Sequence, residues 1–225
     1  MAELDGVLEG VTVAVHGGTG PQGRGLVRRW AAAGIPVVVG SRAAERAAET
    51  AEDLARATGG DVRGLANDEP AAAADVVLLA VPYQGHADLV RSMAEPLAGK
   101  IVVDCVNPLG FDKQGPFALQ VAEGSAAQEA AALLTDSVVV AAFHHVSAAL
   151  LDDSSVDSVD CDVLVLGDDR EATDLVRALA DAIPGMRGVY GGRLRNAGQV
   201  EALTANLIAI NRRYKAHAGV RITDV

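Results

Sequence analysis

The stretch VAVHGGTGPQGRG, residues 13–25, places five glycines within thirteen residues directly after an apolar run. Glycine loses more conformational freedom on folding than any other residue, so such density implies that something must pass close to the backbone here. Gly18, Gly20 and Gly23 have the spacing G-x-G-x-x-G. That pattern is weak alone and strong where it follows a first strand and opens a first helix.

The surrounding sequence supplies that context. Apolar runs predict strands at residues 11–16, 36–40, 62–65, 75–81, 101–105, 138–142 and 162–167. Helix-forming stretches lie between them at residues 23–33, 43–58, 85–95 (stopped by Pro96), 125–134 and 170–183. Most of the strand runs are continuously apolar, as expected for strands covered on both faces. The alternation predicts an α/β fold with a doubly wound parallel sheet and right-handed crossovers. Residues 196–216 form a last long helix with no strand after it, giving a small C-terminal helical part.

In that frame Gly18, Thr19, Gly20, Pro21, Gln22 and Gly23 form a candidate cradle for a pyrophosphate. Gly18 permits the tight turn, Gly20 leaves the backbone open to the ligand, and Gly23 lets the helix pack on the sheet. The diphosphate then meets free N–H groups at the positive end of the helix, and Thr19 and Gln22 can add donors. An NAD site carries an acidic residue at the end of the second strand, where it binds the ribose 2′-hydroxyl. Here the strand runs into VVVGSRAAER, with Ser41, Arg42 and, one turn on, Arg46. A hydroxyl, two guanidinium groups and a helix N-terminus suit a 2′-phosphate, which points to NADP(H). Ser41 as a helix cap, and Arg46 as a partner of Glu45 or Glu49, are the structural alternatives.

Further strand ends face the same crevice. AVPYQGH follows the fourth strand, so Ala80, Val81 and Pro82 are expected along the cofactor. AAFHHVSAALL follows the sixth, and adjacent His144 and His145 are the candidate catalytic residues. No ligand spacing surrounds them, so no metal is expected. Lys100, Lys113 and Lys215 are the only lysines, and no tyrosine is followed four residues later by one. The tyrosine–lysine pair of short-chain carbonyl reductases is therefore excluded. A second substrate that is itself a redox coenzyme needs no strong general acid, only two rings held in contact.

Half of the 225 residues are apolar, enough for a full core. The net charge of -11 argues against nucleic acid or an anionic membrane as partner. From residue 193 onward, six basic residues face two acidic ones, so this segment is +4 and can attract a small anion. Cys105 and Cys161 read as buried thiols. The acidic N-terminus and the absence of long apolar runs suggest a cytoplasmic protein.

VHGGTGPQGRGL, VVVGSRAAERA, AVPYQGHADL, AFHHVSAALL, VLVLGDDREATDLVRAL and GGRLRNAGQVEALTANLIAIN, spread over nearly the whole chain, together resemble the NADPH-dependent reductases of the deazaflavin coenzyme F420. Two departures are a second histidine after the first and ten residues ahead of Val11. The resemblance implies an NADP-binding Rossmann domain over residues 1–145 and a C-terminal part over 146–225 that closes on the deazaflavin site and contributes to a homodimer. It implies reversible hydride transfer between NADP(H) and coenzyme F420, both small molecules. Thr19, Ser41, Arg42 and Arg46 would hold NADP phosphates, while His144, His145, Val146 and the segment from Asn196 to Leu207 would border the deazaflavin. Two other functions remain open on the residues alone: an NADP-dependent reductase of a small imine or carbonyl, and a non-catalytic NADP sensor.

Overall fold

Val13, Val15, Val37 and Val39 pack into one apolar core while the intervening Ala14 and Val38 pack into another, and all are fully buried. That arrangement accounts for the unbroken apolar runs: a sheet covered on both faces has no solvent side for polar residues to occupy. The computed structural model describes residues 6–66 and 69–225.

The first half of the sheet is built from β1 (Val13–His16), β2 (Val37–Ser41), β3 (Val62–Ala66), β4 (Val76–Leu79) and β5 (Ile101–Asp104). Between them run α1 (Pro21–Ala32), α2 (Ala44–Thr58), α3 (Glu69–Ala72), α4 (His86–Ser92) and α5 (Ala94–Leu97). A hairpin of β6 (Leu109–Asp112) and β7 (Gly115–Ala118) leads into α6 (Ala126–Leu133) and β8 (Val138–Ala141). The chain ends with α7 (Ala148–Asp152), β9 (Cys161–Leu166), α8 (Arg170–Asp181), β10 (Met186–Gly192) and α9 (Ala197–Tyr214).

The sheet order is β10-β9-β8-β5-β4-β1-β2-β3, with every pairing parallel except β8 with β9, which meet antiparallel at Ala141 and Leu166. The order reverses between β1 and β4, and in such sheets ligands bind beyond the carboxyl ends of the strands at that switch point. One core packs α1, α2 and α8 on one face, and the other packs α3 to α6 and the start of α9 on the opposite face.

All seven expected strands and the expected helices are present, with ends shifted by a few residues. Pro96 does not simply stop a helix: the chain breaks at Met93, and Pro96 lies inside the single turn of α5. The C-terminal helix is present as α9, and β10 adds a strand beyond the seven expected. β10 and the β6–β7 hairpin were not visible in the sequence. In MRGVYGG, Gly188 is the residue on which α8 lies directly: a Cβ there would come within 2.5 Å of the Arg177 Cα.

Candidate active site

The glycine turn is a set of close backbone contacts. Gly17 has φ +81°, and a Cβ there would lie 2.2 Å from the Ala80 carbonyl oxygen, so only glycine lets the loops after β1 and β4 touch. A Cβ at Gly18 would crowd the Val15 carbonyl at 2.9 Å, and one at Gly23 the Gly17 carbonyl at 2.5 Å. Gly20, the N-cap of α1, differs: its nearest neighbour would be the Gly17 oxygen at 3.3 Å, and the residue lines a cavity. Pro21 has no N–H, so the N–H groups of Gln22 and Gly23 are those presented at the helix's positive end.

This first cavity, about 600 Å³, brings together Thr19, Gly20, Ser41, Arg42, Arg46, Ala80, Val81 and Pro82. The Ser41 Oγ accepts a hydrogen bond from the Ala43 N–H at 3.3 Å, which steadies the entry to α2 and leaves the hydroxyl proton free to donate. Among the described residues neither Arg42 nor Arg46 forms an ion pair, although Glu45 and Glu49 are close in sequence. Two unengaged guanidinium groups and a hydroxyl, with no carboxylate among the described residues that line the cavity, fit a 2′-phosphate. A larger open groove, about 1020 Å³, runs along β10 at the opposite end of the sheet, away from the glycine turn.

A second cavity of about 250 Å³ shares Ala80, Val81 and Pro82 with the first and adds Gln22, Tyr83, Cys105, Val106, Asn107 and His144. Gln22 does not offer its amide to a phosphate here: Nε2 donates to the Phe143 carbonyl at 3.0 Å. Phe143 is fully buried with φ 64°, its ring edge-on to Trp30 at 5.6 Å between centroids. The next carbonyl, that of His144, accepts from Asn107 Nδ2 at 2.9 Å and from the Thr204 hydroxyl at 3.2 Å.

The His144 ring itself has no exposed surface, so what the residue shows to the cavity is main chain. Among the described residues both ring nitrogens lack a hydrogen bond, and burial lowers the pKa to about 4, keeping the ring neutral. His145 turns toward β9, where its Nε2 accepts from the Leu164 N–H and its Nδ1 lies 3.9 Å from Cys161 Sγ. Val146 is buried in the core beside α7. Asn196 ends a 3-10 turn ahead of α9, Leu207 is buried on α9, and neither lines the two cavities.

Behind the second cavity lies a polar cluster that spacing did not reveal. His86 is fully buried with Nε2 2.7 Å from Asp104 Oδ2 and Nδ1 3.0 Å from Glu129 Oε2. Burial opposes the charged ring, but the hydrogen bonds and charges of Asp104 and Glu129 prevail and raise its pKa. Asp104 also accepts from the Val106 N–H at 2.9 Å, fixing the loop that lines the cavity. Glu201 on α9 accepts from the Ala126 and Ala127 N–H groups at the start of α6 and lies 3.9 Å from the His144 ring. Burial raises its pKa to about 7. A cluster of this kind is invisible to motif reading because its members come from α4, β5, α6, α9 and the turn after β8.

A glycine turn at the switch point of a doubly wound sheet, with a basic edge at the second strand, defines a dinucleotide-binding Rossmann protein. Residues 12–108 match the family described as NADP oxidoreductase, coenzyme F420-dependent. The chain is 39% identical over 221 residues to the F420-dependent NADP reductase of Methanothermobacter thermautotrophicus, covering 95% of each. It is 38% identical to that of Methanocaldococcus jannaschii, covering 95% of this chain and 98% of the relative. A solved structure from Arthrobacter sp. FB24 is 26% identical with a TM-score of 0.78, over 95% of this chain and 100% of that one. This chain belongs to the coenzyme F420-dependent NADP oxidoreductase family.

Proposed function

We propose that this protein transfers a hydride reversibly between NADP(H) and the deazaflavin coenzyme F420. The observation that carries the reading is the pair of cavities that meet at Ala80, Val81 and Pro82. The first has the polar and cationic groups for a nucleotide phosphate. The second, joined to it at that wall, has the size for a planar ring end.

The dihydronicotinamide supplies the hydride and the deazaflavin accepts it, so the chain's task is to bind, align and exclude water. Gly18 to Gly23 hold the pyrophosphate, and Ser41, Arg42 and Arg46 hold the 2′-phosphate. Pro82, Asn107 and the His144 main chain form the wall against which the two rings stack. The segment 146–225 covers the deazaflavin side, with Thr204 on α9 fastening the His144 carbonyl.

We read the protein as a homodimer acting in the cytoplasm. Support for the dimer comes from Phe111, Phe117, Ile210 and Tyr214, large apolar side chains left exposed on the hairpin and on α9, which pack against each other. No helix among the described residues is long and apolar enough to cross a membrane. Anaerobic mixing with NADPH and oxidised coenzyme F420, followed by the loss of deazaflavin absorbance, tests the reading. An NADP-dependent carbonyl or imine reductase, or a sensor, leaves that absorbance unchanged.

A further inference from the structure

Five polar side chains belong to the described residues lining the second cavity; three are hydrogen-bonded within the fold and a fourth is sealed from the cavity. Gln22 Nε2 is bonded to the Phe143 carbonyl and Asn107 Nδ2 to the His144 carbonyl. Cys105 Sγ donates to the Leu79 carbonyl, and burial pushes its thiol pKa far up. The His144 ring is sealed from the cavity. The fifth, Tyr83, is half-buried, and among the described residues no hydrogen bond engages its hydroxyl.

Tyr83 is also held in place. Its carbonyl accepts from the His86 N–H at 2.9 Å, and its ring lies 6.2 Å from the His86 ring at a tilt of 31°. His86 in turn is clamped by Asp104 and Glu129. The buried cluster therefore fixes the backbone and ring of the one described residue at the cavity whose O–H is unengaged. Burial, followed by the charges of Glu129, Glu123 and Glu201, raises the phenol's pKa, so it stays a donor across neutral pH.

We propose that Tyr83 is a catalytic residue whose hydroxyl donates a hydrogen bond to the hydride-accepting ring at the end where negative charge collects. The proposal rests on the hydride-transfer reading. In the step, the C–H bond of the dihydropyridine breaks, and its hydrogen and electron pair form the new C–H bond on the acceptor. The displaced electron pair of the acceptor moves to its ring heteroatoms, where the phenol faces it. The phenol keeps its own proton, and the reduced ring stays an anion while bound, taking from water after release the proton that completes the reduction. A donor fixed before charge develops stabilises the reduced ring more than the oxidised one, which is the condition for lowering the barrier.

The test is Tyr83→Phe, which removes one oxygen and keeps the ring against His86. Calorimetric titration with oxidised coenzyme F420, reduced coenzyme F420 and NADPH is compared with the unchanged protein. The expected result is roughly ten- to a hundredfold weaker binding of the reduced coenzyme, the loss of one hydrogen bond to a charged group. Binding of the oxidised coenzyme changes by less than about threefold, NADPH affinity and the thermal midpoint stay the same, and turnover falls in parallel with the reduced-state loss. Equal affinity for the reduced coenzyme in both proteins overturns the proposal. Unchanged protein that binds NADPH but neither binds nor reduces coenzyme F420 overturns the hydride-transfer reading itself and the proposal with it.

Discussion

Gln22, in the first turn of α1, holds the Phe143 carbonyl across 121 positions of sequence with a 3.0 Å hydrogen bond. The bond ties the glycine turn to the turn that lines the second cavity. It also helps hold Phe143 at φ 64°, a conformation that costs on the order of 1–3 kcal/mol in a non-glycine residue. Packing against Trp30 supplies the rest of the restraint.

Replacing Gln22 with Leu should therefore affect both coenzymes. It leaves the Phe143 carbonyl without its donor, costing about 1–3 kcal/mol, and lets the 143–144 turn relax. Denaturant unfolding should show that loss, and the Michaelis constants for NADPH and for coenzyme F420 should rise together. A rise for NADPH alone would indicate that Gln22 serves only the phosphates.

The two kinds of glycine in the turn give opposite outcomes. Gly17→Ala forces a Cβ against the Ala80 carbonyl at a positive φ, so the thermal midpoint should fall. Gly20→Val projects into the first cavity instead, so the fold should persist while calorimetry detects no NADPH binding. NADPH affinity retained in Gly20→Val would remove the pyrophosphate from this turn.

On the proposed reading, the basic edge at β2 selects between the two nicotinamide dinucleotides. Changing Ser41 and Arg46 together to Ala should raise the Michaelis constant for NADPH by roughly tenfold or more and leave that for NADH nearly unchanged. Equal weakening of both would mean that these residues only support the entry to α2.

Glu201 makes stability depend on pH in a particular direction. Its folded pKa of about 7 lies above the ordinary carboxyl value of 4.5, so the folded state holds the proton more tightly. The stability this contributes is complete below pH 4.5 and is lost as pH rises through about 7. His144, lowered to about 4, acts in the other direction: its contribution is present above the ordinary value of 6.5 and is lost as pH falls through about 4. Glu201→Gln removes only the first effect. Denaturant unfolding at a series of pH values should show the variant gaining on the unchanged protein as pH rises from 5 to 8, and parallel curves would show that Glu201 does not titrate in that range.

What could be read from the chain was what is encoded locally. The glycine turn, the valine-rich strands and the Ser41, Arg42, Arg46 edge each lie within a few residues, and the structure gathers Thr19, Gly20, Ser41, Arg42, Arg46 and Ala80 to Pro82 around one cavity. The histidine pair was a different matter. His144 and His145 share the turn after β8, yet the His144 ring lies beside Glu201 while the His145 ring meets β9, two separate buried environments that adjacency in sequence conceals. Tyr83 and His86 belong to one local turn, but Asn107 and Glu201 join them only through long-range packing, and no spacing rule connects the four. Gly17 stood in the quoted stretch, yet its importance lies in the approach of Ala80, 63 positions away.

Isotope transfer tests the central claim most directly. NADPH carrying deuterium at the transferred position is mixed anaerobically with oxidised coenzyme F420 and the protein, and the reduced coenzyme is examined by mass spectrometry. Direct passage between stacked rings requires contact at about 3–3.5 Å and no exchange with water, so the label should appear in the reduced coenzyme in full. Label recovered in the solvent, with an unlabelled reduced coenzyme, would contradict the account.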